Sequence, residues 1–131
     1  MKVLDATFLV DYLDGVDATA DFYDAHGGED ERWVVPAPTY AEVLVGVGNL
    51  PSGEVAAARA ALGWTAVYEV DEDLAHAAAA IADEVGPDGP FLDGPVALVA
   101  AVARELDCPV VSRDSDLTHD ATGAVVEVET Y

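Results

Sequence analysis

The residues best placed to do chemistry in this sequence are acids standing at the ends of apolar runs. Asp5 closes the run KVLD, Asp114 follows PVVSR, and Asp116 comes two residues later. Glu42 lies inside PTYAEVLVG, a segment otherwise fit for burial, where a charged residue needs a partner or a metal. Asp93 sits in the loop GPFLDG ahead of a helical run. If the apolar runs are strands of one parallel sheet, Asp5 and Asp114 reach the same carboxyl-end edge, where open α/β sheets bind ligands. Glu42 and Asp93 stand on segments that turn toward that edge. Four or five converging carboxylates repel one another and raise one another's pKa values. A hard divalent cation relieves the repulsion, and carboxylate oxygens with water suit Mg²⁺ or Mn²⁺. Such a centre activates water and stabilises charge on a phosphodiester. The plain alternative is a solvated surface, because 26 Asp and Glu among 131 residues put an acid at many strand ends by chance. Asp71, Asp83, Asp107 and Asp120 read as caps or surface. The joint pattern of the others carries the argument.

Positioning those acids takes a sheet with helices packed on it. Lys2–Asp5, Arg32–Val35, Thr65–Val70, Pro109–Ser112 and Ala124–Val128 have strand character. Helical patterns run through FLVDYL, Asp17–His26, Tyr40–Val47 behind a Thr39 N-cap, Glu54–Leu62, Asp71 to about Val85, and Val96–Leu106. GGEDE reads as a loop and GPDGP as a turn. Strands alternating with helices predict one α/β domain over residues 1–131, a central parallel sheet of about five strands with helices on both faces. No linker or repeat interrupts it.

Composition narrows the function. Five Lys and Arg against 26 acids give a formal charge of −21, and the acids are spread along the chain rather than gathered in a tail. That balance predicts a halophile's protein, a solubilising surface for a salt-rich cytoplasm, and it offers no basic footprint for nucleic acid at low salt. With 52% apolar residues the chain can bury a core. No run reaches the roughly 18 apolar residues of a membrane helix. MKVLDATFLVDYLDG is a poor secretory signal, which points to the cytoplasm. Cys108 is the single cysteine, so neither an internal disulfide nor a multi-cysteine zinc site can form, and a buried inert thiol is the favoured reading. His26, His76 and His119 form no site in sequence; His119 follows the acid-rich loop, where solvated loop is the favoured reading. Trp33 and Trp64 read as core or rim packing.

KVLDATFLVDYL resembles the opening of PIN-domain ribonucleases, in which an Asp ends the first strand before a hydroxyl residue and a short helix. PAPTYAEVLVG is similar to their second motif, and ALVAAVARELDCPVVSRDSDL to their third and fourth. The matches come in order and span residues 2 to about 117, and the length is that of VapC-type toxins. The resemblance implies a metal-dependent endoribonuclease acting on RNA, with Asp5, Glu42 and Asp114 as metal-site acids and Asp116 as the accessory acid. It further implies Mg²⁺ or Mn²⁺ as cofactor, Thr7 as a support for Asp5, and a small antitoxin and a second copy of the chain as partners. FLVDYL is apolar enough to pack on a partner helix, though core burial explains most of it. Arg113 matches a position that either touches phosphate or pairs with a surface acid. One departure stands out. Where the family usually carries an Asp ahead of the Ala-Leu-Val-Ala-Ala string, this sequence has Val96. Asp93, three residues earlier, either substitutes as a metal ligand or is only a loop residue.

Val96 therefore supports a second reading, a catalytically weak or inactive PIN-like binding module. A third, a phosphoacceptor receiver-like domain, has little behind it, because the only lysine is Lys2.

Overall fold

Five parallel strands form one sheet in the order β3-β2-β1-β4-β5. They are β1 (Lys2–Leu4), β2 (Trp33–Pro36), β3 (Ala66–Tyr68), β4 (Val110–Val111) and β5 (Val128–Glu129). The computed structural model describes all residues, 1–131. Register aligns Val3 with Val34 and Val110, and Leu4 with Val111. Because side chains alternate across a strand, Val3, Val34 and Val110 face one side while Leu4, Val35 and Val111 face the other. Each set seeds its own core. On the first side lie α5 (Glu72–Val85) and α6 (Gly94–Leu106), which bury Leu74, Ile81, Val99 and Val102 against the valines. Small alanines at 78, 97, 100, 101 and 103 let these helices sit close. On the second side lie α1 (Ala6–Leu13) and α2 (Asp17–Ala25), with α3 (Ala37–Asn49) and α4 (Val55–Ala61) beside them. Phe8, Leu9, Phe22, Trp33 and Leu62 fill that core. Phe8 is fully buried, and truncating such a ring to Ala costs about 3–5 kcal/mol.

The single α/β domain with helices on both faces is as expected, but several boundaries move, each for a local reason. Helix α3 starts at Ala37, so Thr39 is its third residue and not its cap. Pro36 holds the extended approach and Pro38 sits in the first turn, where no amide hydrogen is needed. Helix α6 starts at Gly94, two residues before Val96, because Asp93 caps it: Oδ1 accepts the Val96 amide at 2.9 Å. The last strand is not Ala124–Val128. His119 caps a short helix, α7 (Asp120–Gly123), and the amides of Val125 and Val126 both donate to the Thr122 carbonyl. Those amides are spent in a turn, so pairing to β4 starts only at the Glu127 carbonyl, which accepts the Val110 amide at 2.9 Å. Edge strands β3 and β5 are short, which limits open pairing edges. No helix is long and apolar enough to cross a membrane.

Candidate active site

The strand order places a reversal beside β1: the chain steps outward through β2 and β3, then returns to add β4 on the opposite flank. Ligands of open α/β sheets gather outside the carboxyl ends at such a point. Asp5 leaves β1 there, and Ser112, Arg113 and Asp114 leave β4 there.

Asp5 is 5% exposed, and its extended backbone makes it the N-cap of α1. The Thr7 amide donates to Oδ1 at 3.2 Å and the Thr7 hydroxyl to Oδ2 at 2.9 Å. Ser112, itself fully buried, donates its hydroxyl to Oδ2 as well, across the boundary between β1 and β4. Asp114 is braced from its own loop, with Oδ1 accepting the amides of Asp116 at 2.8 Å and Leu117 at 3.2 Å. Its own amide donates to Ser112 Oγ at 2.9 Å, so one serine links both acids.

Asp5, Glu42, Asp93 and Asp114 line one cavity of about 160 Å³, together with Thr39 and Val96. Burial pushes the Asp5 carboxyl above its ordinary pKa, the hydrogen bonds from Ser112 and Thr7 oppose the shift, and the Asp114 charge adds to it. Glu42 is raised too, first by partial desolvation at the cavity wall and then by Asp93 and Asp5. Burial leads both shifts, and the neighbouring carboxylates add to them.

The donor chemistry suits a hard divalent cation: four carboxylates and the hydroxyls of Thr7 and Thr39, all oxygen, with no sulfur or imidazole on the wall. Thr39 Oγ1 is buried and has no hydrogen-bond partner, an orphaned polar atom beside the acids. No three His, Cys, Asp or Glu side chains stand in an arrangement that would enclose a metal ion. A cation there would need water to complete its coordination shell, as Mg²⁺ readily allows.

Several expected placements change. Glu42 is exposed on α3, so burial does not compel a partner for it. Asp116 is half-buried and lies outside the cavity wall. Arg113 pairs with Asp11, a buried acid rather than a surface one. His119 Nδ1 accepts the Ala121 amide at 3.0 Å, and the ring borders a separate hollow. Cys108 is half-buried with its thiol pKa raised chiefly by desolvation, which disfavours the reactive thiolate. Trp33 is buried and donates Nε1–H to the Gly28 carbonyl at 2.8 Å. Val96 does line the cavity, and its side chain offers no ligand oxygen. Sequence alone does not single out Ser112 or Thr39 as site residues. The signal for Ser112 was a lone hydroxyl closing the apolar run PVVS beside an acid; Thr39 had none beyond its spacing one turn before Glu42.

The PIN domain profile matches residues 2–122. The chain belongs to the PIN domain family. Its fold is shared with VapBC2 from Rickettsia felis bound to a promoter DNA fragment, at 11% identity and a TM-score of 0.77, covering 98% of this chain and 97% of that one. It is shared with FitAcB from Neisseria gonorrhoeae, at 23% identity and a TM-score of 0.75, covering 98% and 96%. VapC20 of Mycobacterium tuberculosis, a toxin cleaving the sarcin–ricin loop, has 18% identity and a TM-score of 0.67, covering 96% of each chain. No curated protein matches the sequence significantly.

Proposed function

We propose that this chain is a metal-dependent endoribonuclease that hydrolyses RNA phosphodiesters, and that it is the toxin of a type II toxin–antitoxin pair. PIN family membership and a fold in common with toxins of such pairs support the reaction class. One observation carries the reading: Asp5, Glu42, Asp93 and Asp114 come from four separate segments to one cavity at the sheet's reversal point.

Those four acids would hold Mg²⁺ or Mn²⁺, which when bound lowers the pKa of water and polarises a phosphoryl oxygen. The protein's own residues do the rest. Ser112 and Thr7 fix the Asp5 carboxylate so that it need not reorganise when substrate arrives. The amides of Asp116 and Leu117 hold Asp114 Oδ1 and leave Oδ2 free. Glu42, exposed at the cavity wall, is placed to accept a proton from the attacking water. Asp116 assists from the adjoining loop. RNA is the substrate, and the setting is the cytoplasm.

The protein partners are a small antitoxin and a second copy of the chain as a homodimer. An apolar groove between α1 and α3, lined by Val10, Leu13, Val43, Val47 and Leu50, opens beside Glu42 and suits an apolar antitoxin helix. Cleavage of structured RNA in molar KCl, with Mn²⁺, Mg²⁺ or EDTA, tests the activity. Wild-type cleavage that EDTA and Asp5→Asn both abolish is the expected result; equal cleavage by Asp5→Asn refutes it.

A second reading, a binding module with little or no catalysis, has its own support. Val96 presents methyl groups where a ligand is wanted, and no three acids enclose a cation point. Antitoxin binding without any RNA cleavage would favour it.

A further inference from the structure

Thr39 is 1% exposed, and its hydroxyl oxygen is sealed from solvent without a hydrogen-bond partner. Other threonines in the fold do not behave this way. Thr19 donates to the Val16 carbonyl at 2.7 Å, Thr65 to Leu62 at 2.8 Å, Thr118 to Asp114 at 2.9 Å and Thr122 to Asp116 at 2.6 Å. Thr7 is engaged by Asp5. A threonine ordinarily bonds back to a carbonyl three or four residues earlier, and leaving a buried hydroxyl unpaired destabilises the fold. The exception falls at one place. Thr39 lies one turn before Glu42 on α3 and lines the cavity shared by Asp5, Glu42, Asp93 and Asp114.

Its neighbours on the wall divide in two. Ala6, Pro95, Val96 and Val99 have no side-chain polar atom to offer, while the acids only accept when ionised. Thr39 is thus the wall's one uncharged side chain with a hydroxyl still unspent, since Thr7 is committed to Asp5. Thr in a helix divides between two χ1 rotamers, so on this cavity-lining side chain Oγ1 and Cγ2 can trade places without the helix moving. The cavity, about 160 Å³, has room for several waters, since about 10–15 Å³ of such volume holds one.

We propose that Thr39 is a positioning residue of the cation site: its hydroxyl binds and orients a water in the hydration shell of a divalent cation held by the four acids. This rests on the cation-binding reading given above and adds to it a residue with a role of its own. Thr39 takes on part of the orientation that a carboxylate at position 96 would otherwise supply. The hydroxyl is unsatisfied when the protein is metal-free and satisfied when it is loaded, so its removal acts with opposite sign in the two states.

The test compares wild type, Thr39→Val and Thr39→Ser in molar KCl, by thermal melting in EDTA and by calorimetric titration with Mn²⁺. Valine keeps the shape and deletes the hydroxyl; serine keeps the hydroxyl. In EDTA, Thr39→Val melts higher than wild type by about 2–5 °C. With Mn²⁺ it binds roughly tenfold more weakly, the scale of losing a partner behind the ligands, and Thr39→Ser recovers wild-type affinity. A Thr39→Val protein that melts below wild type in EDTA overturns the proposal, because the hydroxyl is then satisfied without metal. Equal Mn²⁺ affinity in wild type and Thr39→Val overturns the role of Thr39 alone. A wild type that takes up no Mn²⁺ brings down the cation reading, and this inference with it.

Discussion

The guanidinium of Arg113 straddles the carboxylate of Asp11, with Nη2 2.8 Å from Oδ1 and Nε 2.7 Å from Oδ2. Tyr131 donates its hydroxyl to the same carboxylate at 2.6 Å, and its ring lies 6.0 Å from the guanidinium carbon. Asp11 is buried on α1, so these two partners satisfy a charge that would otherwise be stranded. They also tie the loop of Asp114 to the helix that Asp5 caps. Removing one partner of a buried pair costs about 3–5 kcal/mol, but Arg113 is more than half exposed and solvent screening lowers the figure. Arg113→Met is expected to lose about 2 kcal/mol and Tyr131→Phe about 1 kcal/mol in chemical denaturation. The double variant Asp11→Leu, Arg113→Met should lose less than its single variants combined, because no charge is left buried.

Acid titration follows from Asp5 and Glu42, whose carboxyls are both raised. A carboxyl with a higher pKa in the fold than in the unfolded chain binds its proton more tightly when folded. Its contribution to stability is complete below the unfolded value, 3.8 for Asp5, and is lost as pH rises through the folded value. Metal-free protein in EDTA should therefore gain stability from these groups as pH falls from neutral toward that window. Asp114→Asn removes a like charge from Asp5 and keeps an oxygen for the Asp116 amide, so it should raise the metal-free melting temperature at pH 7. An unchanged or lower temperature would contradict the electrostatic account.

Position 96 offers a gain-of-function test. Val96 is the third residue of α6, its amide is held by Asp93 and its side chain faces the acids. Val96→Asp adds a carboxylate at a helix N-terminus, where negative charge is favoured. Mn²⁺ affinity and cleavage should both rise over wild type, while Asp93→Ala lowers wild-type activity if Asp93 is a ligand. A folded Val96→Asp protein that cleaves no faster would show that this turn does not serve the metal.

Salt should govern folding. At −21 the surface repels itself, and of the five cations Lys2, Arg104 and Arg113 are already paired with acids. The screening length falls from about 10 Å at 0.1 M salt to about 3 Å at 1 M. Melting temperature should climb steeply with KCl over that range. A flat profile would mean that the acids are too dispersed to matter.

The strands and most helices could be read from the sequence because alternation and capping are local signals. KVL, RWVV and PVVS announce three central strands by their apolar side chains, and Asp71 announces α5 by spacing alone. What could not be read was where hydrogen bonds would be spent. Residues 124–127 look like a strand until Thr122 is seen to take two of their amides. The acids of the cavity were legible through sheet topology and resemblance, since a strand end has only one edge to point toward. Ser112, the Tyr131–Asp11 contact and the unpaired Thr39 were not, because each depends on what stands opposite across 105 residues or more, or on a partner that is missing. Glu42 misled for the opposite reason: apolar sequence neighbours do not bury a residue on the outer face of a helix.

Asp5 and Asp93 each begin a helix with the same carboxylate that lines the cavity, and Asp114 pins the turn that follows it. This double duty constrains how such a site decays under mutation. Alanine at 5 or 93 removes charge and cap together and costs about 1 kcal/mol of fold at each, and at 114 it removes charge and the brace of the turn. Asparagine removes the charge yet still caps, since Asn and Asp rank alike at helix starts. Lineages that silence the chemistry but keep the scaffold should therefore drift through Asn at 5, 93 and 114, leaving a recognisable scar.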